Sequence, residues 1–258
     1  MIHPTAVVEP GAKIAPSCSI GPYCIVGSEV EIGSGCDLIS HVVMQGKTTI
    51  GDNNRFFPFA VIGGEPQDIS YAGESTGVAM GDNNVIREAV TINRGTAKGG
   101  GTTRIGSHTL VMAYSHIGHD SVLSDHAMLI NGATLAGHVL IDEWAVVGAL
   151  CAVHQFVRVG AHSYIGAGTV ITKDVLPFSK CVTPRNTKVY GLNAVGLQRR
   201  GFSKERIRKI HHAFHVIFNS KLNITQAMTR LKSEEEQNDD IHLLLRFVEE
   251  SERGIVRK

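Results

Sequence analysis

The sequence lacks the features that mark several large classes of protein. Basic residues (25) and acidic residues (24) nearly cancel, so no net charge draws the chain to nucleic acid or to an anionic membrane. No apolar run approaches the ~18 residues of a membrane span. The first residues also lack the basic and apolar segments of a signal peptide. We therefore expect a cytoplasmic protein with no nucleic-acid partner and no stable membrane insertion.

Cysteine and charged residues are also sparse. The chain has five cysteines, an odd number, and none has the C-x-x-C spacing typical of zinc sites and redox motifs. Charged residues make up 19% of the chain, too few for a coiled coil or a helical bundle, and the 28 glycines indicate many turns. Hydrophobic residues make up 43%, which excludes intrinsic disorder and provides for a real core.

The sequence does have a six-residue period, in which a large apolar residue recurs at every sixth position. A small or β-branched residue usually stands two positions before each repeated aliphatic residue. This pattern fits neither a helix nor an alternating strand, and it predicts short parallel strands joined by tight corners, the hexapeptide β-helix. The repeated large apolar positions are Ile2, Val8, Ile14, Ile20, Val26, Ile32, Leu38, Met44, Ile50, Phe56, Ile62, Met80, Ile86, Ile92, Ile105, Val111, Ile117, Leu123, Leu129, Leu135, Ile141, Val147, Val153, Val159, Ile165 and Ile171.

Two stretches interrupt the period, at about residues 66–79 (PQDISYAGESTGVA) and 98–104 (KGGGTTR). Insertions in a solenoid form loops on one face, and that face is often used for binding. The glycine run in the second stretch lacks the G-x-x-x-x-G-K-[ST] pattern of a phosphate-binding loop. Both stretches are therefore predicted to project as loops.

The pattern changes to a helical one near residue 196. Ser203 is predicted to cap a first helix, Thr225 a second, and residues 241–248 to form a third. We therefore divide the chain into a β-helix at 1–195 and a C-terminal helical domain at 196–258.

A basic run opens the helical domain. It has one acid, Glu205, and the run is either a solvated helix face or a docking surface for an acidic protein or a phosphate group. Its bases are Arg199, Arg200, Lys204, Arg206, Arg208 and Lys209.

Several of the 13 histidines converge when the chain is folded into coils of about 18 residues. His138 then lies over Asp120, and His154 over Gly118. Three hypotheses fit such a cluster: imidazoles that only cap a corner, a zinc site, and general acid–base catalysis with Asp120 orienting His119. No two histidines here are five residues apart, as in the metal-binding hexapeptide proteins, so no metal is expected. No serine or cysteine beside the cluster is an obvious nucleophile. This favours direct transfer of the group over a mechanism with a covalent enzyme intermediate.

Six segments resemble the UDP-N-acetylglucosamine O-acyltransferase family, and the resemblance covers essentially the whole chain. They are residues 71–74, 86–96, 116–120, 131–138, 152–156 and 196–203. The resemblance implies a left-handed parallel β-helix and a homotrimer with active sites between neighbouring subunits. It implies transfer of a 3-hydroxyacyl group from acyl carrier protein to the glucosamine 3-hydroxyl of a UDP-sugar, the first step of lipid A biosynthesis. No cofactor is implied beyond the phosphopantetheine thioester of the carrier protein.

The resemblance also implies roles for single residues. His119 is expected to be the general base, Asp120 to hold it, and the Gly137 N–H to stabilise the oxyanion. Ala167 lies where the family has a residue that limits acyl length. Expected contacts to the sugar nucleotide are Asp68, Ser70, His116, His138, His154 and Gln155, with Asn193, Arg199 and Arg200 near the uridine and phosphates.

Four positions depart from the family pattern. Ser70 replaces a common lysine, Asn93 and Asn186 replace histidines, and Val195 replaces a glutamate. Because Ser70 supplies no cation, the acceptor can be either the 3-hydroxyl sugar or a sugar with a 3-amino group. The sequence does not determine the acyl-chain length or the trimer contacts.

Three other functions remain as alternatives. The later N-acyltransferase of the same pathway carries a separate N-terminal domain, whereas the hexads here begin at Ile2. A metal-dependent hydratase would need a bound metal. A scaffold solenoid without catalysis predicts no convergence of histidine, aspartate and glutamine on one edge.

Overall fold

The computed structural model describes residues 1–182, 187–234 and 238–257. Within them, short strands form three sheets. Sheet one contains β1 (Val7–Val8), β4 (Ile25–Val26), β7 (Val43–Met44), β10 (Val61–Gly64), β13 (Thr91–Asn93), β16 (His116–Ile117), β19 (Thr134–Leu135), β22 (Ala152–Val153) and β25 (Val170–Ile171). Sheet two contains β2 (Lys13–Ile14), β5 (Glu31–Ile32), β8 (Lys47–Ile50), β11 (Gly77–Met80), β14 (Thr102–Ile105), β17 (Val122–Leu123), β20 (Leu140–Ile141) and β23 (Arg158–Val159). Sheet three contains β3 (Ser19–Ile20), β6 (Asp37–Leu38), β9 (Arg55–Phe56), β12 (Val85–Ile86), β15 (Leu110–Val111), β18 (Met128–Leu129), β21 (Val146–Val147), β24 (Tyr164–Ile165), β26 (Ser179–Cys181) and β27 (Val189–Leu192).

From β1 to β22, each strand pairs in parallel with the strand three places later in the chain. His116, for example, pairs with Thr134, eighteen residues on. Three strands therefore make one coil, as the hexads predict. The antiparallel pair β26–β27 closes sheet three at its C-terminal end.

The predicted apolar ladder forms the core. Every predicted position from Ile20 to Ile171 is at most 5% exposed. The prediction is wrong at Ile2, which is 52% exposed, and Val8 and Ile14 are only partly buried. These residues belong to the first coil, whose strands lie at the end of the three sheets and pair with a neighbouring coil on one side.

The coils turn at three corners, and non-glycine residues with positive φ occupy them. The first corner joins sheet one to sheet two and carries Asp120 (φ 59°), His138 (59°) and Phe156 (63°). The second corner joins sheets two and three and carries an aromatic stack that includes Trp144 and His162. The third corner joins sheet three to the next coil. These stacked corners account for much of the histidine content.

Both insertions leave the solenoid at the first corner. Residues 65–76 join β10 to β11, and residues 94–101 join β13 to β14 through a single 3₁₀ turn, Ala97–Gly99. The predicted ends at 79 and 104 are too late. Gly77–Met80 and Thr102–Ile105 are strands that pair with each other over their full length.

Four helices follow the solenoid in the described residues: α1 (Ala194–Arg199), α2 (Lys204–Phe218), α3 (Ile224–Ser233) and α4 (Asp239–Glu249). None of these described helices is long and apolar enough to cross a membrane. Ser203 caps α2, as predicted. The prediction of Thr225 as a cap is wrong, because Asn223 and Gln226 form a reciprocal capping box at the start of α3.

The basic run is partly used within the helical domain. Arg206 binds Asp240 through two hydrogen bonds of 2.6 and 2.8 Å and lies 3.7 Å from the centroid of the Phe202 ring. Lys209 Nζ lies 3.6 Å from Glu205. Arg206 therefore stabilises the packing of α2 on α4. The other exposed bases of the predicted docking surface are Arg199, Lys204 and Arg208.

Candidate active site

A histidine–aspartate pair lies at the first corner. His119 Nδ1 is 2.8 Å from Asp120 Oδ2, and the Asp120 side chain is 1% exposed while that of His119 is 15% exposed. Because Asp120 occupies Nδ1, the Nε2 atom of His119 is the nitrogen available to accept a proton. This is the geometry that the sequence predicted for an oriented general base.

The Asp120 carboxylate is held by the second insertion. The Thr96 backbone N–H donates to Asp120 Oδ1 at 2.8 Å, and the Thr96 hydroxyl donates to Oδ2 at 2.7 Å. The Asp120 N–H in turn donates to Thr103 Oγ1. A buried carboxylate needs such donors, and here they also fix the direction in which Asp120 faces His119.

Two glycines allow the backbone to approach this pair closely. A Cβ atom at Gly137 would lie 2.5 Å from His119 Cε1, and one at Gly99 would lie 2.0 Å from Asp120 Cγ. Within residues 1–182, 187–234 and 238–257, the Gly137 N–H has no hydrogen-bond acceptor. An unpaired backbone donor therefore lies beside His119.

His138 and Phe156 stack above the pair on the same corner. His138 Nε2 lies 3.7 Å from Asp120 Oδ2, and its ring meets that of His119 edge to face at 5.1 Å between centroids. Phe156 stacks on His138 at 4.5 Å. His154 and Gln155, exposed at this corner one coil above, are linked by a 3.1 Å contact from His154 Nδ1 to the Gln155 carbonyl.

His116 lies on sheet one beside the corner. Its Nδ1 atom is 2.7 Å from Thr91 Oγ1. Burial lowers the pKa of His116, and the neighbouring His119 lowers it further. The imidazole is therefore mainly neutral at pH 7, with one ring nitrogen able to donate a hydrogen bond and the other able to accept one.

Asp68 and Ser70 lie on the first insertion. Asp68 Oδ1 accepts hydrogen bonds from the Ser70 N–H at 2.8 Å and from the Ser70 hydroxyl at 3.0 Å. These bonds lower the pKa of Asp68, with smaller contributions from His119 and Lys98. Asp68 is therefore an ionised acceptor facing the same corner as His119.

Arg94 attaches the first insertion to the second. Its guanidinium donates to the Tyr71 hydroxyl at 2.7 and 3.1 Å and to the Gly63 carbonyl at 3.1 Å. Asn93, one of the departures from the family pattern, donates to the Glu65 carbonyl at 2.8 Å. The two insertions therefore form one layer over the first corner.

Asn193, Arg199 and Arg200 meet elsewhere, around a cavity of about 530 Å³ on sheet three. Arg200 donates to the Trp144 carbonyl at 2.8 Å, but its buried Nη1 atom has no partner among the described residues. Burial lowers the pKa of Arg200. Arg200 is half-buried beside the cavity, and a guanidinium in such a place suits an anionic or carbonyl-bearing ligand. Val195 lines the same cavity and is 60% exposed.

The predicted site residues therefore fall into separate groups within one chain. Ala167 is exposed at the third corner, between β24 and β25, and the cavity of Arg200 adjoins the second corner. Asn186 lies outside the described residues. The residues gathered at or beside the first corner are Asp68, Ser70, His116, His119, Asp120, Gly137, His138, His154 and Gln155.

Sequence reasoning missed the contributions of Thr96, Arg94 and Lys98. The first two lie in a segment that carried the family resemblance, and a threonine before a glycine run is a recognisable cap. No pattern in the sequence predicts that the Thr96 hydroxyl reaches Asp120, because the two residues belong to different coils.

His119, Asp120 and His138 also place their ligand atoms within 4.8 Å of one another, close enough to hold a metal ion. However, Asp120 Oδ2 is already engaged by the Thr96 hydroxyl and the His119 ring. A metal would have to replace both contacts. The arrangement therefore fits a proton-transfer pair better than a metal centre.

A parallel β-helix of hexapeptide coils with a histidine–aspartate pair at one corner defines the class of hexapeptide-repeat acyltransferases. A family model described as UDP N-acetylglucosamine O-acyltransferase, domain 2, matches residues 174–256. The chain is 46% identical over 256 residues to the acyl-[acyl-carrier-protein]–UDP-N-acetylglucosamine O-acyltransferase of Anaeromyxobacter sp., covering 99% of both proteins. The protein belongs to the UDP-N-acetylglucosamine O-acyltransferase family.

Solved structures agree. The UDP-N-acetylglucosamine acyltransferase of Francisella novicida matches with a TM-score of 0.97 and 40% identity over 100% of this chain and 94% of the other. That of Bacteroides fragilis matches with a TM-score of 0.97 and 38% identity over 100% of both chains. The predicted left-handed parallel β-helix with a C-terminal helical region is confirmed.

The contact between Gly137 and His119 gives a test of the site. Gly137→Ala should displace the His119 ring, because the new Cβ has no room, and should lower kcat about 100-fold as a misplaced base does. Gly191→Ala is the matched control, since a Cβ there meets nothing within 4 Å. Steady-state acyl transfer and thermal unfolding would be measured for both variants. A Gly137→Ala enzyme as active as the control would contradict the close contact.

Proposed function

We propose that the protein transfers a 3-hydroxyacyl group from acyl carrier protein to the 3-hydroxyl of UDP-N-acetylglucosamine, the first step of lipid A biosynthesis. The observation that carries this proposal is the His119–Asp120 pair beside the free Gly137 N–H. The names of the relatives at 42–46% identity support the same substrates. We place the reaction in the cytoplasm, which stays a prediction.

The reaction needs one base and one oxyanion donor. His119 Nε2 takes the proton of the sugar 3-hydroxyl as that oxygen attacks the thioester carbonyl. The Gly137 N–H donates to the oxyanion of the tetrahedral intermediate, a contact worth about 3–4 kcal/mol where one has been removed from other enzymes. The C–S bond then breaks, and the imidazolium returns its proton to the departing phosphopantetheine thiolate. No further cofactor is needed.

Asp120 keeps His119 in the tautomer that this mechanism needs. With its hydrogen on Nδ1 facing Asp120, the imidazole presents a lone pair at Nε2. Because Asp120 is itself held by Thr96, the carboxylate cannot swing toward the substrate. Asp68, His116, His138, His154 and Gln155 surround the corner with acceptors and donors suited to sugar hydroxyl and amide groups.

The separation of the predicted groups supports a homotrimer. His119 lies at the first corner, whereas Arg200 lies near the second and Ala167 at the third, so one chain does not present all three to one substrate. Threefold association would bring a corner of one β-helix against a face of the neighbouring β-helix. The site would then be shared between subunits.

Light scattering tests the trimer. The mass in solution should be three times that of the 27.8 kDa chain. On dilution, the specific activity should fall in parallel with the mass, because a separated chain lacks part of the site. A monomer that keeps its activity per chain would contradict a shared site.

A matrix of donors and acceptors tests the reaction itself. The enzyme would be incubated with 3-hydroxyacyl carrier proteins of graded chain length and with either UDP-N-acetylglucosamine or its 3-amino analogue. Mass analysis of the products should show an ester on the 3-hydroxyl sugar and one preferred chain length. Predominant amide formation would instead assign the 3-amino acceptor that the Ser70 departure left open.

Variants of Ala167 test which residue limits the length of the acyl chain. Ala167→Gly should lengthen the preferred acyl chain and Ala167→Met should shorten it, since each buried methylene contributes about 0.8 kcal/mol until the groove ends. An unchanged chain-length profile in both variants would place the end of the acyl groove elsewhere.

Elemental analysis of the active enzyme tests the metal-dependent alternative, which stoichiometric zinc would favour.

A further inference from the structure

Lys98 lies at the top of the second insertion, on the turn Ala97–Gly99, and is exposed. Its ammonium donates to the Ser70 hydroxyl at 3.1 Å. Within residues 1–182, 187–234 and 238–257, Lys98 Nζ forms no salt bridge with a carboxylate. The Lys98 side chain is thus held in place by a neutral partner.

The backbone of Lys98 is tied to the catalytic pair. The next residue, Gly99, lies directly against the Asp120 carboxylate, and its N–H donates to Thr96 Oγ1 at 3.1 Å. The same Thr96 hydroxyl donates to Asp120. The position of the ammonium is therefore set relative to His119 by a short chain of contacts.

The surroundings of Lys98 would otherwise repel an anion. Asp68 and Glu74 both lie on the first insertion, and the Lys98 charge contributes to the low pKa of each carboxyl group. Ser70 offers only a hydroxyl at this point. Lys98 is consequently the cation that the first insertion itself does not supply.

We infer that Lys98 is a further substrate-binding residue, whose ammonium contacts a phosphate group of a substrate entering the first corner. This inference rests on the proposed function, which brings two such groups to the site. One is the diphosphate of the sugar nucleotide, and the other is the phosphodiester of the phosphopantetheine arm. Both offer the same oxygen chemistry to an ammonium.

The test is the kinetics of Lys98→Met, which keeps most of the apolar stem and removes the charge. The KM for one phosphate-bearing substrate should rise about tenfold, the effect of losing one exposed charge-assisted hydrogen bond, while kcat stays within about twofold. Lys98→Arg should retain a KM near that of the parent enzyme. Lys221→Met, an exposed lysine between α2 and α3, is the matched control and should change neither constant.

A double variant shows whether the effect of Lys98→Met comes from the lost charge or from a change in the structure of the loop. In the double variant Lys98→Met with Ser70→Lys, the new ammonium would arise beside the place that Lys98 Nζ occupies, so the KM should return toward the parent value. Calorimetric binding of UDP and of uridine gives a readout apart from turnover. If the diphosphate is the ligand, Lys98→Met should weaken UDP and leave uridine unchanged.

The outcomes are distinct. A KM increase confined to the sugar nucleotide assigns the diphosphate, and one confined to the acyl donor assigns the phosphodiester. Unchanged KM values for both substrates, or a loss confined to kcat that Ser70→Lys does not restore, would overturn the inference. If the parent enzyme transfers no acyl group at all, the proposed function fails instead, and UDP binding still reports on Lys98.

Discussion

Stacking of each coil on the next, eighteen residues later in the chain, is the constraint on which the site depends. Parallel hydrogen bonds fix this register, as between His116 and Thr134 or between Thr134 and Ala152. Apolar side chains of successive coils then stack on one another inside the β-helix and form its core. The same register stacks His138 over Asp120 and brings Gly137 against His119, so that catalytic geometry follows from the repeat.

An insertion can join this arrangement only at a corner, where it does not break the register. Both insertions leave and re-enter at the first corner, and β11 resumes pairing over four residues on each side. The long loops therefore cover the corner that carries His119. Thr96 supplies the donors that a buried Asp120 requires, and Arg94 secures the loop that carries Asp68.

The parts of the fold that follow a period could be predicted from the sequence. The six-residue period locates the core, and the eighteen-residue coil correctly places His138 over Asp120. Contacts between segments without a period could not be predicted. Thr96 reaches Asp120 through a loop, and Arg206 meets Asp240 through the packing of two helices. The Thr225 cap was wrong for a local reason, since Asn223 starts the helix two residues earlier with a better pair of hydrogen bonds.

The central claim is that His119 takes the proton of the sugar hydroxyl. The most direct measurement is single-turnover transfer by His119→Ala, with calorimetric binding of UDP-N-acetylglucosamine to the same variant. Loss of a general base should slow transfer by roughly 10²- to 10⁴-fold, while affinity for the sugar nucleotide and the melting temperature stay close to those of the parent enzyme. Transfer within a few-fold of the parent rate, with binding intact, would contradict the account.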